Sequence, residues 1–189
     1  MSKPALPEPV KLISSIFSGS RDILNKTIIS LSEKFGKLDY ISALIPFEYT
    51  DYYAKESGTS LIRRFISFEN LVSPDTLPDI KLFTNKVEEN FMRDGSRLVN
   101  IDPGYISRAH LILATGKAYT HRPYIRDGIY ADLTLIFVKH TFRSLEWTYP
   151  DYSDRDMIMM FNNIRERYMI QAQGLKNDQM RTMSSEQGE

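Results

Sequence analysis

The sequence predicts a single α+β domain: a ferredoxin-like split βαβ core, extended by a C-terminal hairpin and a helix. Three observations carry this. Residues 10–103 read strand, helix, strand, strand, helix, strand; residues 129–138 and 142–147 form the clearest strand pair; and Met157, Phe161, Ile164 and Tyr168 recur at helical spacing near the end. At 189 residues the chain can bury a substantial core without staples and is short for two domains. The expected organisation is a flexible segment at 1–9, the domain at 10–171 and a polar, disordered tail at 172–189.

The elements follow in order. Residues 10–17, VKLISSIF, are an apolar run of strand length, closed by Ser18, Gly19 and Ser20. Ser20 caps a helix in which Leu24, Ile28, Leu31 and Phe35 recur, and Gly36 sits just past its end, where a left-handed residue is favoured. Strand, glycine turn and helix together suggest a phosphate loop, yet the turn lacks the length and lysine of that motif. Gly116-Lys117 has no glycine five residues before it either, so a P-loop is excluded.

Residues 38–47 read as a second strand, and EYTDYY at 48–53 as a turn whose rings lie on the core. Residues 60–70 alternate as a third strand, with Leu61 and Phe65 on one face. Pro74 and Pro78 open a helix expected to run to about Asp94, with Ile80, Phe83, Val87 and Phe91 inward and Glu88 and Glu89 facing solvent. A strand at 98–101 feeds a turn at Asp102, Pro103 and Gly104, because proline presets φ and glycine tolerates positive φ. Residues 106–115 fit a buried strand or a short helix, and helix is the preferred reading. Asp127-Gly128 is a hairpin signal, Lys139-His140-Thr141 joins the next strand pair, and Tyr130, Asp132 and Thr134 share a face. Ser153 with Asp156 resembles a capping box at the head of the last helix.

Composition narrows the function classes. Twenty-four basic and 24 acidic residues cancel, which counts against capture of nucleic acid or an anionic membrane by the whole surface. The chain has no cysteine, which removes disulfides, thiolate nucleophiles and cysteine metal sites. The N-terminal MSKPALPEPVK has no apolar leader and no window is long and apolar enough to span a bilayer, so a cytoplasmic protein is expected. His110, His121 and His140 show no ligand spacing; no metal is expected and no cofactor is indicated.

Residues 97–132 hold more cations, tyrosines and carboxylates than a plain core segment needs. Lys117, Arg122 and Tyr105 are candidate ligands for an anion, His121 a candidate general acid or base, and Asp102 or Asp132 its orienting carboxylate. Asp51, Tyr130 and Asp151 are further binding candidates. The expected function is therefore binding or turnover of a small anionic metabolite, phosphorylated metabolites being among the candidates. Competing readings are a solvated basic loop, an RNA-binding module using Arg63, Arg64, Phe65 and Phe68, and a tyrosine-rich surface for self-association or a protein partner.

The strings PFEYTDYY, FISFENL, IKLFTNKVEENF, VNIDPGY, ATGK, HRPYI, DGIYADLTLIF and WTYPDY occur in order from Pro46 to Tyr152. In these the chain resembles the prokaryotic DUF4416 family, a family without an established activity. Some members carry a GTP-binding label, for which this sequence shows no guanine-nucleotide motif.

Overall fold

The structure, a computed structural model, describes residues 3–47 and 61–186. Asp51 and the tyrosine-rich stretch 48–53 lie outside the described residues. The centre is β1 (Val10–Ser18), buried along its whole length. It pairs antiparallel on one side with β4 (Leu61–Val72) and on the other with β7 (Val99–Ile106). Beyond β4 lie two short strands, β2 (Leu38–Ile41) and β3 (Ile45–Phe47), where one strand over 38–47 is expected. Beyond β7 come β8 (His110–Thr115), β10 (Ile129–Val138) and β11 (Thr141–Ser144), with β9 (Tyr124–Arg126) hairpinned onto β10. The order is β11-β10-β8-β7-β1-β4-β2, antiparallel throughout.

Helices cover both faces. Helix α1 (Arg21–Phe35) joins β1 to β2. Ser20 accepts a hydrogen bond from the Ile23 N–H at 3.4 Å, and Gly36 ends the helix at φ 98°. Helix α2 (Leu77–Glu89) joins β4 to β7 after a 3-10 turn at Pro74–Thr76. Leu24, Ile28 and Leu31 of α1 meet Ile80 and Val87 of α2 over Leu12, Ile16 and Ile101 of the sheet, so both helices share one face. The other face is covered by a short helix, α3 (Pro150–Ser153), and the long α4 (Arg155–Glu186). There Phe161, Ile164 and Tyr168 pack on Ile13, Phe65 and Leu135. No helix among the described residues is long and apolar enough to cross a membrane.

Several local expectations give way to tertiary structure. Helix α2 ends at Glu89, not Asp94, and a two-stranded ribbon follows, β5 (Met92–Arg93) with β6 (Ser96–Arg97), turned at Asp94 and Gly95 with positive φ. Residues 110–115 are strand rather than helix, since β8 finds ladder partners on both sides. Strand β11 stops at Ser144, short of Trp147. The head of α4 is capped by Asp154, whose carboxylate accepts from the Asp156 N–H at 2.8 Å, while Ser153 donates back to Pro150 O. That helix continues to Glu186, past Gln171, where its apolar period fades.

The largest revision concerns Asp102, Pro103 and Gly104, which form no turn. They lie inside β7, opposite Ser15, Ser14 and Ile13 of β1. A Cβ on Gly104 would come within 2.3 Å of the Ile112 carbonyl oxygen, so glycine is needed here for close approach of β8, not for positive φ.

Candidate functional site

The sheet forks at Pro103. Strands β7 and β8 pair only over 104–106 against 111–113. Pro103 has no N–H to offer a ladder, and from there β8 stays with β10, through Ala131 opposite Ala114 and Tyr130 opposite Thr115. Ile101 on β7 is thus left without β8. Side chains from α2 replace the missing strand: the Ile101 N–H donates to Glu88 Oε1 at 2.6 Å, and its carbonyl accepts from Lys81 Nζ at 2.8 Å. Lys81 and Glu88 are two helical turns apart on one face, so both reach the backbone of the same residue. Glu88, expected in solvent, is buried as a result.

The fork opens a cleft of about 930 Å³. Its cations are Arg63, Lys81, Arg97, Lys117 and Arg122, and its carboxylates are Glu88, Glu89, Asp102, Asp132 and Asp151. Most are paired across segments. Arg63 Nη1 meets Asp151 Oδ2 at 2.5 Å, Arg97 Nη1 meets Glu88 Oε2 at 3.0 Å, and Arg122 Nε meets Asp132 Oδ2 at 2.8 Å. Asp102 is held differently: among the described residues it accepts one hydrogen bond, from Asn100 Nδ2 at 2.9 Å, and no cation lies within ion-pair distance.

Arg122 organises the loop at the mouth. It donates to Asp132, to the Lys117 carbonyl at 3.3 Å and to the Tyr149 hydroxyl at 3.2 Å, tying loop, β10 and the lead into α3 together. Asp132 stands beside a β-bulge at 133–135, which turns Leu135 onto the same face as Asp132 and into the α4 core. The bulge carbonyls are taken by Trp147 Nε1 on Leu133 and Thr148 Oγ1 on Thr134.

Five of the expected site residues, Asp102, Lys117, Arg122, Asp132 and Asp151, therefore line one cleft. His121 stands behind Asp132 instead, its ring stacked on Trp147 at 4.9 Å and its Nε2 3.7 Å from Asp132 Oδ2. Tyr130 shares the Asp132 face but packs edge-on against Tyr124, and Tyr105 is on the opposite face beside Leu77 and Ile129. Asp51 is outside the described residues. Arg63, Lys81, Glu88, Asn100 and Tyr152 line the cleft without having been singled out for it. Phe65 and Phe68 are buried in cores on opposite sheet faces, leaving neither ring to stack on a base. Among the described residues no group of three or more histidines and carboxylates is placed to hold a metal ion.

A family model described as a domain of unknown function, DUF4416, matches residues 8–168. The chain belongs to the DUF4416 family. The matched span includes every residue that lines the fork, so the cleft is part of the DUF4416 domain and no appendage to it. A search of curated proteins finds no match.

Burial pushes the Glu88 carboxyl of this DUF4416 domain above the ordinary value of 4.5, against the pull of Lys81, the Ile101 N–H and Arg97. A carboxyl raised in the folded state favours folding when protonated. Its contribution is full below 4.5 and is lost as pH rises through the folded value. Urea melts across about pH 4 to 7 should show the wild type losing more stability than Glu88→Gln over that range; parallel profiles would contradict this.

Proposed function

We propose that the cleft binds a small anionic metabolite, with Lys117 and Arg97 offering positive charge at its mouth and Arg63 deeper in. The observation that carries this reading is the meeting, on one cleft of about 930 Å³, of cations supplied by β4, α2, β6 and the 117–122 loop. A volume of this order suits a metabolite rather than a macromolecule. Lys117 is exposed and Arg97 partly so, and an incoming anion can reach both from solvent, Arg97 while it still holds Glu88. Asp102 is the carboxylate best able to take a proton from a bound ligand, since an amide and not a cation holds it. His121, stacked behind Asp132, serves in this reading to position the Asp132–Arg122 pair.

The core suits such a role. We read β7-β1-β4-β2 with α1 and α2 as a ferredoxin-like unit: its antiparallel strand order and the two helices on one face support that assignment. Burial of Phe65 and Phe68, with the cancelled net charge, disfavours RNA as the ligand.

Thermal melts with a panel of phosphorylated and carboxylated metabolites test this. At least one should raise Tm saturably, and Lys117→Ala should weaken its apparent affinity about tenfold, the loss of one charge-assisted hydrogen bond. A panel without any stabilising anion would remove the reading.

A further inference from the structure

Asp102 lines the cleft from β7, half-buried, and is the one of its aspartates that no described cation pairs. Its Oδ2 accepts from Asn100, and no described residue donates to its Oδ1. Tyr152, which also lines the cleft, is 3% exposed and its hydroxyl lacks a hydrogen-bond partner. So does the hydroxyl of Ser15, which is 1% exposed and sits opposite Asp102 across the β1–β7 pairing. The two hydroxyls are close neighbours, though no hydrogen bond of ordinary geometry joins them. Burial keeps the Tyr152 phenol protonated far above its usual range, against the pull of Arg63 and the Ser15 hydroxyl, with Asp102 and Asp151 adding to the rise. This part of the cleft therefore offers a carboxylate acceptor and a buried O–H donor with unspent capacity, and leaving such groups unmet is costly.

From this geometry we infer that the part of the cleft lined by Asp102 and Tyr152 recognises neighbouring hydroxyl groups, which makes the metabolite a sugar phosphate or related polyol phosphate. The inference rests on the anion-binding reading given above and adds the other half of the ligand. Arg63 neutralises Asp151, but no described cation pairs with Asp102, so a phosphate or carboxylate group beside Asp102 would be repelled. An alcohol suits this place well, since it donates and accepts at the same oxygen. One hydroxyl of a vicinal diol donates to Asp102 while its neighbour accepts from Tyr152. The anionic group then points to Lys117 and Arg97.

Isothermal titration of the full chain with ribose 5-phosphate, glucose 6-phosphate, fructose 6-phosphate, ethyl phosphate and inorganic phosphate tests the inference. At least one sugar phosphate should bind about tenfold or more tightly than ethyl phosphate. Asp102→Asn and Tyr152→Phe, each checked for native circular dichroism, should reduce that preference, and Asp102→Asn should leave ethyl phosphate no weaker. General damage to the fold would instead lower both affinities together. If ethyl phosphate and inorganic phosphate bind as tightly as every sugar phosphate, the cleft is an anion site and the hydroxyl subsite is overturned. If no phosphate binds, and the wider anion panel also fails, the anion-binding reading falls with it.

Discussion

Gly104→Ala should lower stability by at least about 3 kcal/mol, a fall in Tm of roughly 6–12 °C for a chain of this size. The added Cβ would sit 2.3 Å from the Ile112 carbonyl oxygen and 3.1 Å from the Leu113 Cα. Both belong to backbone, which cannot swing aside as a side chain can. The strands would have to part where they still hold together, over 104–106 against 111–113, and the fork would lengthen. Gly116→Ala is the control. Its Cβ would come no nearer than 4.0 Å to the Gly128 carbonyl, and its φ is not left-handed. That variant should change Tm little or raise it slightly. Equal melts for the two variants would refute the close-approach account of Gly104.

Asp39→Ala should cost about 3 kcal/mol, because it strands a buried ammonium. Lys11 is 0% exposed on its side chain and its Nζ lies 2.6 Å from Asp39 Oδ2, with a further hydrogen bond to the Phe68 carbonyl at 2.9 Å. The two partners are unequal. Asp39 is 20% exposed and also accepts from Ser67, so it retains water and a hydroxyl when Lys11 is gone. Lys11→Met, which removes the buried charge itself and keeps the alkyl bulk, should therefore cost much less than Asp39→Ala. Urea denaturation of both variants measures the difference; equal losses would show that the aspartate's burial, not the lysine's, dominates.

How far the sequence carries is visible residue by residue. Strand β10 and helix α1 were legible because their apolar period is complete and their ends carry Asp127-Gly128, Ser20 and Gly36, each of which acts locally. The meeting of Asp102, Lys117, Arg122 and Asp132 was legible as an excess of polar residues over 97–132, but the same excess pointed equally to His121 and Tyr105, which do not line the cleft. Pro103-Gly104 misled, since a missing N–H and a missing Cβ serve a turn and a sheet fork equally well, and only the neighbouring strand decides between them. Lys81 and Glu88 were hidden for a related reason. Charged residues on a helix read as solvent-facing, and nothing within the helix reveals an unpaired peptide in another strand waiting beneath them.

A forked sheet behaves as a pair of levers. The β8-β10-β11 arm meets the β7-β1-β4 arm over 104–106 against 111–113, and α4 packs on both, so an occupant wedged into the fork would press on both blades. A snug or a loose occupant would then be written into the splay angle of the whole arm, far from the point of contact, whereas a hole through an unbroken sheet would keep such information to its own rim.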